Sequence, residues 1–169
     1  MFISNQKEVL LKEISKYIKK YNVKSLLDIG AGDGVLAKKL NTIVEKYLGI
    51  EKNAEWKENL KGLNITQGEF PCKINGEFDM VLSSHSIPEE KSLYKAFLEQ
   101  AWSLVKDGGV LVIVTFKGGV LPNGRVHDKE LSDELLQILN TFGEIKTKKA
   151  ISALHGVSHE HIFLSVIKK

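Results

Sequence analysis

A carboxylate followed by closely spaced glycines is the feature of this sequence with the clearest chemical potential. An apolar run ends at Asp28, and glycines then alternate with other residues in the order Gly30, Ala31, Gly32, Asp33 and Gly34. Alternating glycines let the backbone adopt conformations that side chains forbid, and they let a ligand approach the main chain. A helix is predicted from about Val35 to Leu40, and its N-terminal amides would face a ligand above the turn. A strand, turn and helix in this order are typical of a nucleotide or nucleoside site in an open α/β sheet.

The spacing of these glycines indicates which kind of ligand the turn accepts. The dinucleotide motif G-x-G-x-x-G requires its third glycine at position 35, where this chain has Val35. The carboxylate of Asp33 would also repel a pyrophosphate bound at the helix N-terminus. A nicotinamide-dependent oxidoreductase is therefore the less favoured interpretation, and a ligand with cationic groups and no phosphate fits better. S-adenosylmethionine, which carries an ammonium and a sulfonium, is such a ligand.

Hydrophobic periodicity predicts the elements that carry this turn. Apolar residues recur at helical spacing from Leu10 to Tyr21, so residues 6–21 are predicted to form an amphipathic helix with Asn5 and Glu8 as a capping box. Strands are predicted at about 24–29, 46–50, 63–67, 78–83, 110–116, 144–149 and 161–167. Further helices are predicted at 53–60, from Pro88 to Leu104 with an end at Gly108–Gly109, and around 131–139.

Strands that alternate with helices predict right-handed crossovers and a doubly wound, mostly parallel sheet with helices on both faces. The last two strands break this alternation. Because only about ten residues join them, they are predicted to pair as an antiparallel hairpin. The predicted fold class is α/β with a seven-stranded sheet. Residues 1–169 are expected to form one Rossmann-like domain, in which 1–22 are a leading helix and 23–169 the sheet core.

In its glycine turn and its predicted seven strands with an antiparallel C-terminal hairpin, the chain resembles the class I S-adenosylmethionine-dependent methyltransferases. Their first motif is a strand that ends in Asp or Glu, followed by G-x-G-x-G, and the resemblance covers essentially the whole chain. It implies that S-adenosylmethionine is the cofactor. It also implies that Asp28 and the turn residues Gly30, Ala31, Gly32 and Gly34 hold the methionine end. The implied reaction is in-line transfer of a methyl group from sulfur to an oxygen, nitrogen or carbon acceptor.

Acidic residues after the second and third strands are candidates for holding the nucleoside. Glu51 ends the second strand, 21 residues after Gly30, and one carboxylate can accept hydrogen bonds from both ribose hydroxyls. The resemblance implies this ribose role for Glu51, with Lys52 beside it, and an adenine-binding role for Glu69 and Phe70. A turn carboxylate and a core aromatic are the structural alternatives for these last two residues.

The end of the fourth strand, Ser83 to Ser86, is the place where the resemblance puts the sulfonium and the acceptor. Ser83 is a candidate cofactor contact. His85 is a candidate catalytic residue, because histidine exchanges a proton near neutral pH and could take one from an acceptor hydroxyl or amine. A base is optional, since methyl transfer depends mainly on alignment, and His85 could instead orient the loop. The motif Asn/Asp-Pro-Pro-Tyr of amino methyltransferases that act on adenine or glutamine is missing here, which argues against those acceptors.

Further polar residues follow the fifth strand and lie near the C-terminus. His155, His159 and His161 have the spacing H-x-x-x-H-x-H, which could hold a metal ion, with His159 and His161 on one strand face. A hydrated hairpin is the favoured interpretation, a contact with substrate comes next, and no metal is expected. Arg125 and His127 could contact an anionic acceptor, although single loop residues are more often solvated.

Composition limits the class of protein. The chain has 169 residues, of which 43% are hydrophobic and 27% charged, and a net charge of +3, as in ordinary soluble domains. Cys72 is the single cysteine, which excludes an internal disulfide, and no signal peptide or membrane span is predicted, so a cytoplasmic location is expected. The acceptor is expected to be a small molecule, an RNA or a protein. The alternative function is a non-catalytic cofactor-binding protein acting as a partner subunit, and the open acceptor side leaves room for a partner subunit or a homo-oligomer.

Overall fold

A computed structural model describes residues 4–117, 132–154 and 157–169. Its strands are β1 (Ser25–Ile29), β2 (Lys46–Glu51), β3 (Ile65–Gln67), β4 (Phe78–Ser84), β5 (Val105–Lys117), β6 (Lys146–Leu154) and β7 (Val157–Ile167). They form one sheet in the order β3-β2-β1-β4-β5-β7-β6. The first five pair in parallel, whereas β7 is antiparallel to both β5 and β6. The predicted mostly parallel sheet with an antiparallel C-terminal hairpin is confirmed.

Helices cover both faces of the sheet. They are α1 (Asn5–Lys20), α2 (Val35–Ile43), α3 (Tyr94–Ser103) and α4 (Asp133–Phe142). Leu10 of α1 and Leu40 of α2 belong to one apolar cluster, and Phe97 of α3 and Leu139 of α4 belong to the cluster on the other face. The central strands are apolar on both sides because both faces are covered. Within the described ranges, no helix is long and apolar enough to cross a membrane.

Several predicted boundaries are wrong, each for a local reason. The cap of α1 is Ser4, whose Oγ accepts from the Lys7 amide at 3.4 Å, while Asn5 Oδ1 accepts from the Ala153 amide at 2.9 Å. A short 3-10 helix at Ala54–Trp56 replaces the predicted helix at 53–60. The pair Gly108–Gly109 lies inside β5 and not at a helix end, because its backbone pairs with Lys168.

Candidate functional site

The glycine turn after β1 leaves space beside its backbone. Gly30, Gly32 and Gly34 have positive φ angles of 83°, 60° and 80°. A Cβ added at Gly30 would lie 2.4 Å from Ser86 Cβ, so this glycine is required for packing. A Cβ added at Gly32 would have as its nearest described neighbour the Gly30 carbonyl oxygen, at 3.9 Å. The backbone at Gly32 is therefore open to the close approach of a ligand.

Amides of the turn are hydrogen-bonded within the protein. Those of Gly30 and Ala31 both donate to the Ile50 carbonyl oxygen, at 2.8 and 3.0 Å. The Val35 amide, at the start of α2, donates to Asp33 Oδ1 at 3.2 Å. A pyrophosphate on a helix N-terminus requires such amides as donors, and here they already have acceptors. This geometry favours a ligand without phosphate.

Glu51 at the end of β2 holds the turn in place. Its side chain is buried, Oε2 accepts from the Gly32 amide at 2.7 Å, and Oε1 accepts from the Asn53 amide at 2.8 Å. A carboxylate oxygen has two lone pairs, so each oxygen can accept one more hydrogen bond. Glu51 thus orders the glycine turn and keeps the capacity for two ribose hydroxyls.

Asp28, the last carboxylate before the turn, is 2% exposed. Its Oδ2 accepts a hydrogen bond from the Tyr47 hydroxyl at 2.7 Å. Burial raises the pKa of Asp28 to about 6; the Tyr47 hydroxyl opposes this rise and the charge of Glu51 adds to it. Among the described residues, no cation forms an ion pair with Asp28. A cationic ligand next to Asp28 would stabilise its charged form.

Asp33 has a different environment from the one predicted. The sequence suggests a bare carboxylate that repels phosphate, but Lys7 Nζ forms an ion pair with Asp33 Oδ2. Pairing reduces the field of Asp33 at the mouth of the turn. The stronger reason for excluding pyrophosphate is that the turn amides already donate hydrogen bonds to acceptors within the protein.

A cavity of about 210 Å³ joins this turn to the end of β4. Its walls are formed by Gln6, Lys7, Leu10, Asp28, Gly30, Ala31, Leu36, Ser84, His85 and Phe116. The leading helix α1 is therefore part of the site as well as part of the core. The buried carboxylate of Asp28, the glycine turn and His85 therefore face the same cavity.

Hydrogen bonds of two serines at the end of β4 connect this strand end to the end of β1, just before the glycine turn. Ser83, which is fully buried, has its Oγ 2.8 Å from Ser86 Oγ. Ser86 Oγ donates to the Ile29 carbonyl oxygen at the end of β1. Ser83 therefore acts through Ser86 on the shape of the turn.

His85 is held by its backbone and by its ring. Its φ angle is 55°, in the left-handed region that residues other than glycine rarely adopt. Its amide donates to the Val114 carbonyl oxygen at 3.0 Å. The ring stacks on Phe116, with centroids 3.8 Å apart, and His85 Nε2 lies 3.1 Å from His161 Nδ1. These contacts orient the imidazole beside the cavity.

Two of the three histidines near the C-terminus lie within the described residues. His159 and His161 are both buried on β7, and their rings both approach Phe116, whereas His155 lies outside the described residues. No three His, Cys, Asp or Glu side chains within the described ranges could hold a metal ion. Arg125 and His127 also lie outside the described residues.

The predicted adenine residues lie apart from the cavity lining. Phe70 is buried and packs edge-on against Phe97, with centroids 5.1 Å apart. The Glu69 carboxylate is 74% exposed and lies 3.4 Å from Lys52 Nζ, whose side chain is 71% exposed. Their roles in cofactor binding stay predictions, because none of these residues lines the cavity at Asp28.

The family of the chain follows from its sequence match. Residues 2–152 match the model of a family described as a methyltransferase domain. The chain belongs to this family. Membership confirms the predicted resemblance and the prediction of an enzyme, and it supports S-adenosylmethionine as the cofactor of this methyltransferase. No curated protein matches the chain.

Solved structures share the fold of this methyltransferase at low sequence identity. The N-methyltransferase NodS from Bradyrhizobium japonicum is 12% identical, with a TM-score of 0.69 over 96% of this chain and 97% of that one. Magnesium protoporphyrin IX methyltransferase from Synechocystis, with bound SAM, is 13% identical, with a TM-score of 0.66 over 97% and 80%. An S-adenosylmethionine-dependent methyltransferase from Clostridium acetobutylicum is 12% identical, with a TM-score of 0.68 over 99% and 93%. At these identities the likeness shows the fold alone.

The structure of the methyltransferase adds site residues that sequence reasoning missed. Tyr47 donates to Asp28, Ser86 packs on Gly30, and Phe116 stacks on His85. Because side chains alternate between the two faces along β2, the sequence could have placed Tyr47 on the same face of the sheet as Asp28. The other two contacts depend on which strands are neighbours, which no local pattern in the sequence reveals.

Proposed function

We propose that the protein transfers a methyl group from S-adenosylmethionine to an acceptor bound beside His85. The observation that carries the proposal is the single cavity lined both by Asp28 with the glycine turn and by His85 with Phe116. A methyl donor and its acceptor must meet in one space, and these two sets of residues lie on its walls. The chain is further proposed to be one domain in a reducing, cytoplasmic setting, which fits its free Cys72.

The described residues fit this cofactor on two counts. The open backbone at Gly32 allows close approach, and the buried carboxylate of Asp28 lacks a cationic partner within the described ranges. In the proposal, Asp28 and the turn from Gly30 to Gly34 hold the methionine end, and Glu51 accepts from the ribose hydroxyls. Lys52, Glu69 and Phe70 flank the adenine, and Ser83 shapes the edge below the sulfonium.

Catalysis then depends on alignment and on proton acceptance by this chain. The bound cofactor supplies an electrophilic methyl carbon. The turn and the end of β4 fix the distance between the cofactor site and the acceptor site, which is the main requirement for methyl transfer. His85, which lines the cavity, is proposed to take the proton that the acceptor loses, and its stacking on Phe116 and its contact with His161 fix the ring at the cavity wall.

Calorimetry separates the cofactor classes. S-adenosylmethionine and S-adenosylhomocysteine are expected to bind, and NAD is expected not to bind. Methyl-labelled cofactor is then supplied with pools of small metabolites, RNA and protein, and label in one pool identifies the acceptor class. Absence of binding by both sulfur nucleosides would disprove the proposal, and binding without transfer to any pool would indicate the non-catalytic partner subunit.

A histidine variant tests the proposed proton acceptor. His85→Phe is expected to bind the cofactor normally and to lower methyl transfer by about 10²- to 10⁴-fold, the usual contribution of general base catalysis. His159→Phe is the matched control, because His159 lies near the same Phe116 ring, with centroids 5.9 Å apart, and does not line the cavity. Equal transfer by His85→Phe and the control would remove His85 from the mechanism.

A further inference from the structure

A second concave space lies between the leading helix and the C-terminal hairpin. It has a volume of about 290 Å³, and no described residue lines both this space and the cavity at Asp28. Its walls come from the end of α1, from β6 and from β7: Lys16, Tyr17, Lys20, Tyr21, Lys146, Thr147, Lys148 and Ser165. We name it the lysine groove, because lysines are half of its lining and none of the described residues that line it is acidic.

The protein neutralises only part of the positive charge of the lysine groove. Lys16 Nζ lies 2.6 Å from Glu13 Oε1, and Lys148 Nζ forms an ion pair with Oε2 of the same carboxylate. Burial favours a higher pKa of Glu13, but hydrogen bonds from Lys148 and Lys16 outweigh burial and lower that pKa, so Glu13 is ionised at neutral pH. Lys146 forms no ion pair within the described part of the chain. One carboxylate therefore serves three ammonium groups, and two positive charges stay unbalanced.

The fourth lysine, Lys20, has a separate role at the end of α1. It lies in the last turn of the helix, where a cation balances the partial negative charge of the C-terminal carbonyl groups. Its Nζ also lies 5.2 Å from the centroid of the Tyr21 ring, which is within the range of a cation–π contact. The surplus of two positive charges thus belongs to Lys16, Lys146 and Lys148 together with Glu13.

The lysines of the groove repel one another unless an anion lies between them. Lys16 and Lys20 are four residues apart on α1, a spacing at which like charges destabilise a helix. Lys146 and Lys148 are two residues apart on β6, so their side chains leave the same face of the strand. Because β6 is an edge strand, its lysines also discourage pairing with another sheet. That protection requires no lysines on α1, whereas an anion site formed between α1 and β6 requires lysines on both.

We propose that the lysine groove binds a phosphomonoester, with the phosphate group among Lys16, Lys146 and Lys148. A phosphomonoester carries a charge of about −1.5 to −2 at pH 7, which matches the surplus of the groove, whereas each phosphate of a nucleic-acid backbone carries a single charge. Ammonium groups donate strong hydrogen bonds to phosphate oxygens. Tyr17 and Tyr21, stacked with centroids 6.2 Å apart, add an aromatic wall for the organic part of the ligand. The volume is close to about 300 Å³, the lower end for pockets that hold small molecules.

The lysine groove lies apart from the cavity of the proposed methyl transfer. Gln6, Lys7 and Leu10, near the start of α1, line that cavity, whereas the groove begins at Lys16. From Leu10 to Lys20 the helix rises by about 15 Å, at about 1.5 Å per residue. A phosphomonoester and S-adenosylhomocysteine should therefore bind without competing, and the failure of one site would leave the other untouched.

Calorimetry of the full chain with ribose 5-phosphate tests the proposal. Ribose 5-phosphate is expected to bind with a Kd of about 1 mM or below, equally well with and without saturating S-adenosylhomocysteine, and ribose is expected not to bind. Weaker binding than this, or displacement by S-adenosylhomocysteine, would overturn the proposal. A short single-stranded RNA with hydroxyl groups at both ends distinguishes the other source of phosphate. Tighter binding of that RNA than of ribose 5-phosphate would mean that the groove takes a nucleic-acid backbone, and the phosphomonoester assignment would be wrong.

Charge variants assign the binding to the groove. Lys146→Gln removes an exposed ammonium group that has no ion pair within the described ranges, so the fold should be kept. It is expected to weaken ribose 5-phosphate binding by about 5- to 20-fold, and Lys146→Glu to abolish it, because one charged hydrogen bond to phosphate is lost and then replaced by repulsion. Lys57→Gln is the matched control, since Lys57 is equally exposed and lies outside the groove. Equal affinities of Lys146→Gln and Lys57→Gln would show that the phosphate binds elsewhere and would overturn the proposal.

Discussion

The two sides of the cavity at Asp28 offer different chemistry to a ligand. On the side of β1 and β2, the turn amides are already hydrogen-bonded, and the protein presents an open backbone at Gly32 and the buried carboxylates of Asp28 and Glu51. On the side of β5 and β7, it presents stacked and hydrogen-bonded rings around His85. The first side is built from an open backbone and buried carboxylates, and the second from packed, hydrogen-bonded rings.

This difference predicts which changes each side tolerates. Variants of the first side should alter cofactor affinity or stability, whereas variants of the second should alter turnover and leave cofactor affinity unchanged. The variants below act on the first side, from the largest expected effect to the smallest.

Gly32→Val should abolish cofactor binding. The new side chain would fill the space beside the backbone and adopt a φ near 60° that valine disfavours. Calorimetry should show a loss of at least about 100-fold, which is about 2.7 kcal/mol. Gly62→Val is the control, because Gly62 has a φ of 83° and no described atom within 4 Å of an added Cβ. Normal binding by Gly32→Val would show that the cofactor does not use this turn.

Asp28→Asn should stabilise the protein at pH 8. Burial raises the pKa of Asp28 from 3.8 to about 6, so the folded protein holds a proton that the unfolded chain releases between these values. Stability from this group is complete below about pH 4 and is lost as the pH rises through about 6. The variant should gain about 3 kcal/mol of unfolding free energy at pH 8 and nothing below pH 4, as measured by denaturant titration.

Tyr47→Phe sharpens this test, since it removes the hydroxyl that favours ionised Asp28. It should lower the stability at pH 8 and leave it closer to wild type at pH 4. A stability difference between Asp28→Asn and the wild type that does not depend on pH would contradict the assigned environment of Asp28.

Glu51→Ala should weaken cofactor binding by about 1–3 kcal/mol, because the ribose hydroxyls and the Gly32 amide lose their acceptor. Calorimetry with S-adenosylhomocysteine measures the loss. Glu58→Ala is the control, since that carboxylate is 72% exposed on the surface beside Lys61. Affinity equal to that of the control would remove the ribose assignment.

Glu69→Gln should have the smallest effect, a loss of about 2- to 5-fold in cofactor affinity, because an exposed carboxylate gains little from one hydrogen bond in water. Glu77→Gln, an exposed acid before β4, should leave the affinity unchanged. A loss above about 30-fold would mean that Glu69 is desolvated on binding and that this side of the site closes over the adenine.

The sequence predicts the parts of this molecule that depend on local patterns. Each of these patterns spans only a few residues: the glycine spacing, the acidic ends of β1 and β2, and the unbroken apolar strands. Together they predict the sheet and the turn. Contacts between distant segments were not predictable in the same way. Ser86 against Gly30, Lys7 with Asp33, and His161 opposite Phe116 all depend on tertiary packing. The prediction of a single domain, and the roles of the individual site residues, stay predictions.

The start of the leading helix contacts both the C-terminal hairpin and the glycine turn. Asn5 Oδ1 accepts a hydrogen bond from the Ala153 amide of β6, and Lys7 forms an ion pair with Asp33 beside the glycine turn. A bound ligand should therefore slow hydrogen exchange and proteolysis in the first turns of α1, giving a probe of occupancy that needs no known acceptor.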